Sequence, residues 1–443
     1  LVISGYSIYI NPKSMNNHFI QFFSLQDPNV RFVVIGMILL GIGSSTIGTF
    51  AFLRKRSLTG DAIAHAVLPG ICLAYMLFDT RNLWVLLGGA CLTGWLSIAA
   101  VDFITRKSRI KPDAAIGIAL SVFFGIGIVL LTYIQQHGDA GQSGLNNFLL
   151  GKAAAMSPDD MITMSIVSLV IVLVVLLFFK EFRMLSFDPD YARAAGHPVR
   201  LMELLLTTLT VLAVAVGIQA VGVVLMAALL ITPPAAARFW TNKLGVMVWF
   251  SIVIGVLGSV AGTYVSFANN KMPTGPWIIT MTSLLVVISL LAAPKRGIVS
   301  KWLVRRQYRL KMERENLLKL LYHLEEAEPG KQYFSIDDMM ERRPGQRKKI
   351  RRILQSLLRR KLVEISGSKY SPTESGMQEG KRIVRIHRLW EMYLTEKVHI
   401  ASDHVHEDAE AIEHIITPEM EARLAKILEY PEVDPHNKKI PWQ

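Results

Sequence analysis

Between Val30 and Ala293 one apolar run follows another, each near the ~20 residues a helix needs to cross a bilayer. Nine candidates fall at 30–53, 60–78, 83–105, 113–136, 158–180, 201–219, 221–237, 245–267 and 276–293. Lipid offers no hydrogen bonds, so such runs must close their backbone bonds internally, as helices. The whole chain, 51% hydrophobic with mean hydropathy +0.35, is too apolar for a soluble globule. The pattern stops at Pro294-Lys295-Arg296-Gly297, and the rest reads as soluble protein. The expectation is an all-α polytopic membrane protein of about eight or nine transmembrane helices with a soluble C-terminal part.

Lysine and arginine set the orientation. Arg54-Lys55-Arg56, Arg106 to Lys111, Lys180 to Arg200, Arg238 to Lys243 and Lys295-Arg296 fall on one side, while the opposite loops hold Arg81, Lys152 and Lys271. The basic side is the inner one. This places residues 1–29 outside, as an extracytoplasmic segment without the order of a signal peptide. It places the C-terminal part in the cytoplasm of a bacterial inner membrane. The net charge of +13 suits an anionic lipid face or nucleic acid. Cys72 and Cys91 both lie in apolar stretches with no Cys-x-x-Cys, which argues against a disulfide framework or a thiolate zinc site.

Within the spans, Gly36, Gly41, Gly43 and Gly48 in the first, and Gly255, Gly258 and Gly262 in the eighth, suit close helix packing. Leu68-Pro69-Gly70 and Thr232-Pro233-Pro234 are expected to interrupt their helices and free backbone carbonyls. Asp61 and His65 stand four residues apart and share one helix face. An acid and an imidazole inside a span mark a pathway or a bound ion, and one oxygen with one nitrogen suits Mn²⁺, Fe²⁺ or Zn²⁺. Two copies across a twofold axis would double the set. The structural alternative is that Asp61 caps its helix and His65 pairs with it.

The stretch Ser57-Leu58-Thr59-Gly60-Asp61-Ala62-Ile63-Ala64-His65-Ala66-Val67-Leu68-Pro69-Gly70 resembles the hallmark of permease subunits of zinc/manganese/iron-type ABC importers. Phe187-Asp188-Pro189-Asp190-Tyr191-Ala192-Arg193-Ala194-Ala195-Gly196 and the segment Val221 to Arg238 are similar to the same family, in the same order, over about residues 30–297. The resemblance implies a permease dimer with itself or a paralogue, a separate cytoplasmic ATPase, and an extracytoplasmic metal-binding protein. It also implies that Asp61 and His65 are metal ligands in the pathway, and that Phe187, Asp188, Pro189, Ala192, Arg193 and Gly196 belong to a coupling helix that docks on the ATPase. The chain itself is expected not to be an enzyme, because Gly144 to Lys152 has the wrong spacing for a phosphate loop.

The remainder begins with a basic amphipathic linker, 298–312, in which Trp302 and the Lys/Arg residues suit a lipid interface. Helical patterns over Glu313 to Glu328, Phe334 to Met340 and the basic Gln346 to Lys361 precede a hairpin pattern from Leu362 to Thr373. Three helices and a hairpin make a winged helix-turn-helix over about 313–375, with Arg347, Lys348, Lys349, Arg351 and Arg352 as candidate DNA contacts. His387 and Glu391 are again four apart, and His404, His406, Glu407, Asp408, Glu410, Glu413 and His414 crowd the next stretch.

The order Thr373-Glu374-Ser375-Gly376, Ile386-His387-Arg388-Leu389-Trp390-Glu391, His406 to His414 and Asp434-Pro435-His436 resembles the iron- and manganese-dependent repressor family over about 312–443. The resemblance implies a helical metal-binding and dimerisation domain over 376–443. In it, His387, Glu391 and His406 match one site, and Glu410, Glu413 and His414 contribute to another. The remaining ligands of that family come from the first helix, where this chain has Asn316 and Lys319. A lysine there must shed a proton to bind metal.

The leading reading is therefore an importer permease for Mn²⁺, Zn²⁺ or Fe²⁺, fused to a cytoplasmic domain through which metal restrains transport. The alternative is a membrane-tethered, metal-responsive DNA-binding regulator. An intramembrane metallohydrolase is weak, since His-Glu-x-x-His is missing from the sequence.

Overall fold

The computed structural model describes residues 19–54, 57–80, 82–137, 151, 156–268, 272–400 and 412–442. Of the residues singled out above, Lys55, Arg56, Arg81, Lys152, Lys271, most of Gly144 to Lys152, and His404, His406, Glu407, Asp408 and Glu410 lie outside the described residues. The chain forms two compact units, 1–301 and 302–443.

The first unit is a helical bundle: α1 (Pro28–Leu53), α2 (Ser57–Phe78), α3 (Leu83–Lys107), α4 (Pro112–His137), α5 (Pro158–Leu177), α6 (Phe179–Phe187), α7 (Pro189–Ala194), α8 (Val199–Val221), α9 (Val223–Trp240), α10 (Leu244–Ala268) and α11 (Thr274–Ala292). Among the described residues, eight of these helices are long and apolar enough to cross a membrane, and α9 contributes a shorter apolar helix. The bundle is thus that of a multi-pass membrane protein. The fifth span ends at Leu177 instead of 180, because the chain turns at Phe178 and restarts as α6. Helix α5 opens on a capping box in which Ser157 and Asp160 satisfy each other's backbone N–H, with Pro158 in the first turn.

All spans are apolar around their whole circumference, so burial separates those in the centre from those facing lipid. Helices α8 and α1 are 72% and 67% buried over their most apolar windows, against 22% and 28% for α11 and α4. Lipid-facing side chains such as Leu92, Phe103, Val129 and Leu173 stand exposed. In lipid the hydrophobic effect does not draw helices together, so close backbone approach has to do it. Helix α1 meets α10 where Gly41 faces the Gly255 carbonyl, which is the packing role expected of these glycines.

The proline segments are a correction. Helix α2 runs unbroken through Pro69, and α9 through Pro233 and Pro234. The break falls instead at Gly222, between α8 and α9, where φ is +89° and a Cβ would be strained. The prolines nevertheless withdraw N–H groups from carbonyls four residues earlier. Pro234 withdraws the partner of the Leu230 carbonyl, and that oxygen lies against Gly48, where a Cβ would overlap it. At the end of α1, Arg54 is buried in an ion pair with Glu203 of α8.

The second unit starts in α12 (Ile298–Ala327), one unbroken helix that joins the expected linker stretch to the first helix of the winged fold. Leu317, Leu321 and Leu324 on its inner face pack with Phe334, Met339, Leu354, Leu357, Val363 and Tyr370. These belong to α13 (Ile336–Arg342), α14 (Arg347–Arg359) and the antiparallel hairpin β1 (Val363–Ser366) and β2 (Lys369–Pro372). Val363 pairs with Pro372 and Ser366 with Lys369, and Gly367 takes φ +61° in the turn. Phe334 and Tyr370 exchange backbone bonds of 2.9 and 2.8 Å, tying the α13 entry to the wing. Helix α15 (Glu374–Glu396), capped by Thr373, packs on α16 (Pro418–Ile427) through Leu389, Leu424, Ala425 and Leu428.

Candidate functional site

In the membrane unit, Asp61 and His65 sit one turn apart on α2, with Oδ1 and Nε2 3.5 Å apart. The imidazole side chain is 13% exposed and Asp61 36%. The His65 ring meets the Phe124 ring edge-on at 4.7 Å, and its Nδ1 is buried with no hydrogen-bond partner among the described residues. A buried imidazole nitrogen left without a bond in a span is costly. Pro69 adds a third feature: the N–H it lacks is the one an ideal helix pairs with the His65 carbonyl. Asp61 lies in the fifth position of α2, past the usual capping residue.

The segment between the fifth and sixth spans forms α7 as its caps dictate. Asp188 accepts a 2.9 Å bond from the Tyr191 N–H, and Pro189 occupies the first turn. At the other end, the N–H groups of His197 and Gly196 bond the carbonyls of Ala192 (3.0 Å) and Arg193 (3.1 Å). This is the paired closure that a left-handed glycine allows, and Gly196 has φ +83°. Ala192 is buried with Leu185, Val199 and Met202, while Phe187 and Tyr191 are 60% and 63% exposed. Arg193 pairs with Asp190 at 2.9 Å on the surface. The result is a short stiff element with two aromatic side chains in the open.

In the tail, three segments bring their charged side chains together. From α15, His387 Nε2 lies 3.1 Å from Glu391 Oε1, and its Nδ1 lies 2.5 Å from Glu413 Oε2. From α12, Lys319 Nζ donates to the same Glu413 oxygen at 2.7 Å and stands 3.1 Å from His387 Nδ1. His414 Nδ1 meets Glu315 Oε2 at 2.7 Å, and Lys311 lies 3.5 Å from the other Glu315 oxygen. Burial works to lower the His387 pKa, but the hydrogen bonds to Glu391 and Glu413 outweigh it and hold the imidazole above its ordinary value. Burial works to raise Glu413, yet the bond to His387 and the Lys319 charge hold it below the usual carboxylate range.

Of the expected tail ligands, His387, Glu391, Glu413 and His414 are thus brought together, and His406 and Glu410 lie outside the described residues. Reasoning from sequence missed Glu315, which reaches His414 from one helix turn before Lys319. Its spacing of four from Lys319 on the apolar face of α12 was the available signal. On α14, Arg347 and Lys349 pair with Asp337 (3.1 Å) and Glu313 (2.8 Å), while Lys348, Arg351 and Arg352 are exposed.

Comparison with known proteins fits this geometry. The ABC 3 transport family matches residues 26–293, the whole of the described bundle apart from its first residues. The chain belongs to the ABC 3 transport family. A second family, iron dependent repressor, metal binding and dimerisation domain, matches residues 373–442. This ABC 3 chain is 40% identical over 379 residues to the manganese transport system membrane protein MntC of Bacillus subtilis, covering 85% of this chain and 87% of that protein. It is 41% identical over 287 residues to the zinc transport system membrane protein TroC of Treponema pallidum, covering 65% and 96%. Among solved structures, PsaBC from Streptococcus pneumoniae in complex with Fab matches with TM-score 0.57 and 33% identity, over 63% of this chain and 97% of that one.

The tail's family implies a bound metal, and the described residues do not fit one at His387. The oxygen and nitrogen that would face the ion already face an ammonium. Among the described residues no group of three or more His, Cys, Asp or Glu is placed to hold a metal.

Proposed function

We propose that this chain is the permease subunit of a bacterial importer for divalent transition metal, with Mn²⁺ and Zn²⁺ the leading cargoes and Fe²⁺ sharing their ligand chemistry. The observation that carries the reading is Asp61 beside His65, whose buried Nδ1 lacks a partner among the described residues. These two side chains supply too few donors to strip an ion of its water. A second copy of the chain, or a paralogue, completes the set across a twofold axis. The names of the relatives, manganese and zinc transport membrane proteins, support the cargo class.

Energy comes from a separate cytoplasmic ATPase. Helix α7 is its docking element: Phe187 and Tyr191 offer exposed apolar contact, Asp188, Pro189 and Gly196 fix the ends, Ala192 seats the helix, and Arg193 lies on its open face. An extracytoplasmic metal-binding protein delivers the ion. The chain sits in the inner membrane with residues 298–443 in the cytoplasm, where 313–375 form the winged helix and 376–443 the helical domain. That tail regulates transport from within the same polypeptide. A second reading, DNA binding by the tail, draws support from the exposed Lys348, Arg351 and Arg352 on α14. It requires a sequence-specific, salt-dependent gel shift.

The test is uptake of Mn²⁺ and Zn²⁺ by cells carrying this chain with its ATPase and binding protein. Asp61→Asn and His65→Gln should each lower uptake at least tenfold at equal membrane abundance. Unchanged uptake in both would reject the pathway.

A further inference from the structure

Repressor-type domains of this kind are described by metal binding and dimerisation, yet the buried centre of this tail is built around a lysine. Lys319 Nζ donates to Glu413 Oε2 at 2.7 Å and stands 3.1 Å from His387 Nδ1. It bonds a carboxylate oxygen that His387 Nδ1 also bonds, so it reaches groups from two separate segments at once. Its side chain is 12% exposed, that of His387 6% and that of Glu413 0%. A carboxylate with little solvent around it is what a coordinated cation would meet. A lysine is rarely taken so far from water unless it is paired. The stem of Lys319 starts on α12, the helix that opens the winged fold, whereas His387 belongs to α15 and Glu413 to the segment before α16.

We propose that the Lys319 ammonium is a built-in cation that holds α12 to α15 and Glu413 by occupying the carboxylate a metal ion would need there. A divalent ion cannot share Glu413 Oε2 with an ammonium already bonded to it, because the two positive charges would stand within a few ångströms in a low-dielectric interior. The winged helix is thereby fastened to the helical domain whatever the metal supply, and this part of the tail takes no signal from the cargo. The inference rests on the tail's family and local geometry, and it stands whether or not the membrane unit carries metal.

Full-length protein in lipid nanodiscs, stripped with chelator and then titrated with Mn²⁺, tests this by hydrogen exchange at the amides of α12 and α15. In the wild type, Mn²⁺ should change their protection less than twofold. Lys319→Met, which keeps the stem and removes the charge, should speed exchange at least tenfold without metal. Lys319→Glu, which puts an acidic donor in its place, should make protection rise at least tenfold with Mn²⁺. A tenfold Mn²⁺-dependent rise in the wild type that His387→Ala removes would overturn the proposal. So would an unchanged exchange rate in Lys319→Met, a variant that needs no metal and reads the clamp alone. Because the readout is confined to tail amides, a failed uptake experiment leaves these outcomes intact.

Discussion

Replacing Arg388 by Met should loosen the tail by an amount the structure fixes. Its guanidinium is buried and joins three parts of the chain. Nη2 reaches both Glu326 oxygens at 3.0 and 3.2 Å, Nη1 bonds the Lys439 carbonyl, and Nε lies 3.5 Å from Asp434. Glu326 is 39% exposed, so on losing its partner it returns to water at a cost below about 1 kcal/mol. Asp434 is different, with a side chain 2% exposed, and stranding a buried charge costs about 3–5 kcal/mol. Backbone N–H groups of His436 and Lys438 still reach it at 2.9 Å, which puts the cost near the low end, about 3 kcal/mol. Met refills the space of the arginine stem, so little is added for packing. At 1.36 kcal/mol per factor of ten, amides of α15 and of 434–440 should exchange roughly 150-fold faster. Amides of α8 in the membrane unit serve as the internal control. Adding Asp434→Asn removes the stranded charge and should recover much of the loss. Exchange within threefold of the wild type, or a double variant no better than the single, would show that the buried ion pair does not hold this region.

Gly48→Val should sharply lower the thermal stability of the detergent-solubilised protein, because the new side chain must displace the Leu230 carbonyl, and overpacking of this kind costs about 1–3 kcal/mol. Gly117→Ala points into open space and should leave the melting temperature unchanged or raised, by about 0.5–1 kcal/mol of helix preference; the reverse ranking would refute the packing account. His323 lies on α12 with its pKa lowered by burial, against the opposing pull of Glu326. The unfolded chain therefore binds this proton more readily than the folded one, and stability present above pH 6.5 is lost as pH falls. Protection of the second half of α12, corrected for intrinsic exchange, should fall from pH 7.5 to 5.5, and His323→Gln should flatten that slope.

Several parts of the molecule could be read residue by residue because their causes are local. Helix α7 is specified by Asp188-Pro189 at one end and Gly196 at the other, all within ten residues, and it forms where that spelling places it. Asp61 and His65 share a face because four residues make about one helical turn. The winged fold followed from apolar spacing on α12 and α14 and from the hairpin pattern around Gly367. Continuity of α2 and α9 through their prolines was not legible. A proline weakens a helix by itself, and here the neighbouring helices of the bundle keep it together.

The sequence alone determined that the apolar runs between residues 30 and 293 are membrane helices, because a bilayer leaves runs of that length no other way to satisfy their backbone. It also placed Asp61 and His65 on one helix face, since i and i+4 neighbours need no tertiary contact to meet. Only the tertiary structure decided what becomes of the charges on distant segments. Arg54 of a basic loop cluster turns inward to Glu203, 149 residues away. Lys319, which in sequence is only a missing ligand, lies 94 residues from Glu413 and 68 from His387, and fills the space between them with its own positive charge. Local spacing fixes which face a side chain takes, but a buried charge finds its partner only when the chain has packed.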